Sequence, residues 1–177
     1  MKICKKNEDM EKNEDMEMNE ETAYARLAST CARRERSSGQ VRESMRRWGL
    51  AADVQERVLA RLVEGRYVDD ARYCEMFVRD KLKFGKCGRL KIEAELWQKG
   101  IGPDIAAPVL DAVDPAVYYD TLVPLLRQKN RTVKADSFYE RASKLIAYAL
   151  GRGFSADAAR KAAEEVMAKE AADDDDM

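Results

Sequence analysis

Residues 65–101 read "GRYVDDARYCEMFVRDKLKFGKCGRLKIEAELWQKGI", and the order of signals within them sets the fold. Gly65 suits the residue past a last helical turn, where a left-handed conformation carries no Cβ penalty. Asp69 and Asp70 then open a new helix, because short carboxylates accept from first-turn amides and sit where the helix dipole favours negative charge. An aromatic-rich run (Tyr73, Phe77) follows, and Gly85 and Gly88 frame a tight loop. A second helix carries Ile92 and Leu96 four residues apart and stops at Gly100, with Ile101 as an apolar closure. The adjacent carboxylates are explained by capping, and the lone GxxG of the loop by a turn, so neither requires a metal or a ligand.

The unit recurs. Aligning Gly49, Gly100 and Gly153 gives offsets of 51 and 53 residues, and the apolar positions then fall into register. The first copy has Val41, Met45, Leu50, Val54, Val58 and Leu62; the second Ile92, Leu96, Ile101, Ile105, Val109 and Val113; the third Leu145, Ala149, Phe154, Ala158, Ala162 and Val166. Steps of four put these side chains on one face of each helix. A further helical segment precedes each pair, marked by Tyr24, Leu27, Ala28 and Cys31, by Tyr73, Met76 and Phe77, and by Tyr118, Leu122 and Leu125. Start signals stand at Ser37 with Gln40 (a capping box), Asp104 after Pro103, Asp114 before Pro115, Ser137 before Glu140, and Ser155. The pattern predicts an all-α chain of tandem three-helix repeats: modules at 22–66, 67–113 and 114–169, between acidic tails at 1–21 and 170–177. Pro124 lies inside the third module's first helix, and a kink or a later helix start is expected there.

Composition limits what such a chain does. Histidine is absent from all 177 residues, which removes the commonest general base and metal ligand. Nothing resembling an activated nucleophile is left, so the chain is read as non-enzymatic, without cofactor or metal. Cys4, Cys31, Cys74 and Cys87 form no CxxC pair and read as reduced packing thiols. No apolar run approaches the roughly 20 residues of a membrane span, and the N-terminal stretch lacks a signal-peptide core, so a cytoplasmic protein is expected.

The formal net charge of −1 hides an uneven distribution. Both tails are acidic and are expected to be disordered, leaving residues 22–169 with 20 acids against 28 bases. The bases gather at one corner of each module, between its first and second helices. Arg33, Arg34, Arg36, Arg42, Arg46 and Arg47 mark the first corner. Arg79, Lys81, Lys83, Lys86, Arg89 and Lys91 mark the second, and Arg127, Lys129, Arg131 and Lys134 the third. A solvated helix face explains any one cluster, but three at equivalent positions favour a surface that meets a polyanion or an acidic protein groove. The residues of the first two corners are the candidate contact residues. Trp48 and Trp97, at the ends of second helices, are read as packing residues rather than base-stacking platforms.

With Gly65, Asp69-Asp70, Tyr73, Phe77-Val78-Arg79, Gly88-Arg89-Leu90-Lys91-Ile92, Glu95-Leu96 and Lys99-Gly100-Ile101 in place, the chain resembles the RecX family, bacterial regulators of the RecA recombinase. The resemblance covers about residues 22–169, densest in the first two modules. It implies an elongated, curved array of three-helix repeats, a monomer, lying in the groove of RecA-DNA filaments. It also implies inhibition of strand exchange, ATP hydrolysis and repressor self-cleavage, hence modulation of DNA repair and the SOS response. The basic corners would touch single- or double-stranded DNA or acidic groove residues. The basic corners fit a sequence-independent DNA-binding protein without a recombinase partner equally well, and a helical scaffold for other proteins is a third class.

Overall fold

The computed structural model describes residues 18–175, with side chains to residue 169. Among them the chain is all-helical: α1 Glu20–Arg33, α2 Ser38–Arg47, α3 Ala52–Glu64, α4 Asp70–Asp80, a π-helical turn Lys81–Gly85, α5 Arg89–Gln98, α6 Pro103–Asp111, α7 Pro115–Asn130, α8 Phe138–Gly151 and α9 Ala156–Asp175. The helices form two compact units, 1–69 and 70–177.

In the first unit, Ala23, Leu27 and Cys31 of α1 close with Val41, Met45, Val58 and Leu62 on a single apolar core. Asn19 caps α1 by accepting from Thr22 N at 2.9 Å. The capping box at α2 forms as expected: Gln40 N donates to Ser37 Oγ at 3.2 Å, and Ser37 N donates to Gln40 Oε1 at 3.1 Å. Glu20 and Glu21, assigned by composition to the acidic tail, are helical. They sit in the first turn of α1 and pair with Arg57 (2.9 Å) and Arg61 (2.9 Å) of α3, so the dipole and two guanidiniums hold them. The remainder of that tail, residues 1–17, and Cys4 within it lie outside the described residues.

The second unit holds two three-helix sets. Tyr73, Cys74, Val78, Ile92, Leu96 and Leu110 pack in one core, and Leu122, Leu126, Leu145, Phe154, Ala162 and Val166 in the other. Tyr118 packs against both. Burial pushes the Cys31 and Cys74 thiols above their ordinary range, in keeping with inert packing residues.

The repeat glycines act alike. Gly49, Gly100 and Gly153 have φ of 73°, 77° and 83°. The next residue then donates back across the helix end: Leu50 N to Met45 O at 3.2 Å, Ile101 N to Leu96 O at 3.0 Å, Phe154 N to Ala149 O at 3.2 Å. This is one Schellman cap used three times, with its apolar closing residue. Gly65 departs from the expectation: its φ is −75°, and Arg66 takes the left-handed conformation at 58°. The cap is displaced by one residue, so that Tyr67 N donates to Leu62 O at 2.9 Å. Glycine fits position 65 because a Cβ there would stand 3.0 Å from the Tyr67 ring.

Two boundaries also differ. α7 continues through Pro124, whose side lies on solvent while Val123 and Leu125 are buried. A carbonyl left without its amide on the outer face is hydrated, which lowers the cost of the proline. α9 extends to Asp175, so the segment 170–177 read as disordered is helical in backbone through that residue. Alanine, glutamate and lysine are strong helix formers, and Lys169 pairs with Glu165 one turn back.

Glu165 also ties α9 to α7. Tyr119 Oη donates to it at 2.8 Å and Arg127 stands at 3.8 Å. Lys169 above all, then Tyr119, holds its carboxyl below the ordinary value of 4.5, while burial and Glu165 push Tyr119 up to about 12. A depressed carboxylate contributes stability that is present at neutral pH and lost as pH falls below 4.5; a raised tyrosine contributes stability lost as pH climbs from 10 towards 12. The melting temperature is therefore expected to decline at both ends, and Glu165→Gln should flatten part of the acid limb. An acid limb identical to that of the unsubstituted chain would remove Glu165 from this role.

Candidate nucleic-acid interface

The basic corners form because each module's first helix ends in basic residues and its second begins a few residues later. Lysine and arginine at helix C-termini meet the negative end of the dipole, which accounts for Arg33 and Arg79. The bases nevertheless divide into two groups. In the first corner, Arg36 donates to Ser44 Oγ at 3.2 Å, Arg42 forms a two-pronged pair with Glu56 at 3.0 and 3.2 Å, and Arg46 meets Glu43 at 2.6 Å. Arg33, Arg34 and Arg47 are exposed and make no ion pair among the described residues.

The second corner repeats this division. Lys81 pairs with Glu95, Arg89 with Asp111 at 2.6 Å, and Arg79 stands 3.9 Å from Asp80. Lys91 is half-buried, its backbone packed against Gly153, where an added Cβ would come within 2.4 Å of Lys91 N. Lys83 and Lys86 are exposed and carry no ion pair among the described residues. The charge available to a partner is thus a subset of the candidates, and sequence spacing could not distinguish it fully because Glu56, Glu95 and Asp111 lie on other helices from the bases they pair with.

The loop at this corner is built rather than loose. Arg152, at the end of α8, donates through Nη2 to Gly85 O at 2.5 Å and Lys86 O at 3.1 Å. Gly88 N returns a bond to Arg152 O at 2.9 Å, and Leu90 N one to Gly153 O at 3.1 Å. Cys87 is buried beneath it, and Lys86 is held left-handed at φ 46°. The two glycines that mark a turn in the sequence are therefore also where the third module grips the second. Nothing in the sequence flagged Arg152, because its partners are backbone carbonyls more than sixty residues away.

Exposed aromatics complete the corners and were not singled out from sequence. Phe84 is 72% exposed, and Phe138 and Tyr139 at the start of α8 are 70% and 82% exposed. The signal available was that these residues fall outside the buried stripe yet among the bases. Trp97 corrects the packing reading: it is 66% exposed, whereas Trp48 packs on the first core with Arg26 5.1 Å from its ring. Beside the second corner an apolar groove of about 620 Å³ runs over Val78, Leu82, Val109 and Val113, with Arg79 and Lys83 among its lining residues.

The three repeats match, in chain order, the models of the first, second and third three-helix domains of RecX, over residues 23–62, 69–110 and 116–163. The chain belongs to the RecX family. Proteins named Regulatory protein RecX are similar to it along most of its length. That of Lacticaseibacillus paracasei is 29% identical over 119 residues, 67% of this chain and 50% of that protein. That of Thermobifida fusca is 29% identical over 154 residues, 85% of this chain and 83% of that protein. The chain spans about half the length of the first of these relatives. Among solved structures, RecX from Lactobacillus salivarius superposes with a TM-score of 0.75 at 21% identity, covering 83% of this chain and 96% of that one. That likeness extends the RecX fold to this chain. Among the described residues no helix is long and apolar enough to cross a membrane.

Proposed function

We propose that this chain is a non-enzymatic, cytoplasmic regulator of the RecA recombinase, binding RecA-DNA filaments and suppressing strand exchange, ATP hydrolysis and repressor cleavage. The observation that carries the reading is the run of three RecX three-helix repeats, each with bases at the same corner. Weak contacts repeated along one chain act at high effective concentration once the first is made, so a monomer can hold several filament protomers. Lys83 and Lys86, exposed on a pinned loop, are the best-placed contacts for phosphate or an acidic groove.

The test is ATP hydrolysis by the host's RecA on single-stranded DNA with this protein titrated in. Inhibition is expected well below one copy per protomer. Lys83→Glu/Lys86→Glu should demand about tenfold more protein and reduce the salt slope by about 2. Inhibition that sets in only when the DNA itself is saturated would instead identify a plain DNA-binding repeat protein, the reading the basic corners also support.

A further inference from the structure

We infer that the second and third modules carry stacking sites for unpaired nucleobases, formed by Phe84 and by the Phe138-Tyr139 pair, each beside cations that meet the strand's phosphates. An aromatic ring left 72% exposed gains nothing from the fold. Phe84 is nonetheless presented by one of the most constrained turns in the chain: a π-helical turn, a left-handed Lys86, a buried Cys87, and carbonyls on both Gly85 and Lys86 gripped by Arg152. A ring held in place before its partner arrives loses little freedom on binding.

The chemistry around the ring selects the partner. Lys83 Nζ lies 5.2 Å from the Phe84 ring centroid, and Lys86 follows two residues on. A largely exposed ring with one ammonium over it and a second exposed lysine two residues along the chain matches one nucleotide, with a base for the ring and phosphates for the cations. The same corner of the third module carries the same residue types: Phe138 and Tyr139, both exposed, open α8, and exposed Arg131 and Lys134 lie in the connection before it. A duplex hides its base faces, so these rings serve a single strand. The inference does not rest on the recombinase reading, and its test contains no recombinase.

The full-length chain would be titrated by fluorescence anisotropy against an oligothymidylate of about 20 nucleotides, an abasic strand of equal length and the matching duplex, at fixed salt. Phe84→Ala should weaken binding to the oligothymidylate about tenfold, and Phe84→Ala with Phe138→Ala and Tyr139→Ala more than that. Both should leave the abasic strand, the duplex and the salt slope unchanged, and Phe84→Trp should restore affinity. The ring is exposed, so the melting curve should not move. Equal losses on strand and duplex, or no loss on the oligothymidylate, would overturn the inference.

Discussion

Gly153→Ala is expected to lower the melting temperature of the 70–177 unit by about 10–15 °C, the equivalent of about 3 kcal/mol. Two effects combine at this residue. Its φ of 83° places a Cβ against the following carbonyl, which costs about 1–2 kcal/mol. The added carbon would also stand 2.4 Å from Lys91 N and 2.9 Å from Lys91 Cα, and backbone cannot swing aside as a side chain can. Gly88→Ala strikes the same contact from the other side, with its Cβ 2.3 Å from Gly153 C and O. The double variant should therefore fall well short of the sum of the two. Two substitutions separate the causes. Gly49→Ala has the strained φ of 73° but nothing within 4 Å, so it should show strain alone. Gly151→Ala, helical and also unobstructed, should be neutral or stabilise by up to about 1 kcal/mol. If Gly153→Ala and Gly151→Ala melt together, the grip between the second and third modules is not a source of stability.

Much of the architecture was legible because the repeat is written in local signals. A Schellman cap needs a glycine, an apolar residue after it and apolar positions four apart, all within a dozen residues, and all three copies carry them. The same locality explains the capping box at Ser37 and the caps at Asp114 and Ser137. The misreadings arose where the placement of a side chain, not its type, decides. Gly65 looks like a left-handed cap, yet Arg66 bears the positive φ and the Tyr67 ring crowds the Cβ position of residue 65 at 3.0 Å. Glu20 and Glu21 look like tail, yet arginines some forty residues on hold them in a helix. Trp97 looks like core because it adjoins an apolar stripe, but its place on α5 faces outward.

The candidate site was legible in outline for a similar reason. Charge clusters are a property of the sequence, but the charge a partner meets is what remains after intramolecular pairing. Arg42, Arg46, Lys81 and Arg89 are committed to Glu56, Glu43, Glu95 and Asp111, and Arg36 to Ser44. Exposed pairs of this kind are worth about 0–1 kcal/mol each, so they shape the surface more than they stabilise it. What they leave uncommitted in the second corner, Lys83 and Lys86, flanks Phe84. Reversing the charge of Lys81 would disturb Glu95 as well as any partner, which is why the proposed variants avoid it.

Leu62→Ala is expected to unfold the 1–69 unit and leave the 70–177 unit folded. Leu62 is fully buried in α3, and its carbonyl accepts from both Tyr67 N and Val68 N, so it stands at the centre of the first core and anchors the turn that closes it. Deleting a buried leucine side chain to alanine costs about 2–5 kcal/mol. A core in a unit of this size supplies only about 3–5 kcal/mol in total, so the loss is comparable to everything holding the unit together. The other unit has its own two cores and shares none of their residues with this one. Hydrogen exchange should therefore show protection lost across α1–α3 and kept across α4–α9. Val63→Ala, one residue along but 51% exposed, should stay within about 0.5 kcal/mol. Parallel loss of protection in both units would mean that they fold as one cooperative body. If they separate, the variant removes the Arg33, Arg34 and Arg47 corner while the Lys83 and Lys86 corner stays intact, and its inhibition of RecA then measures how much of the filament contact the first repeat carries.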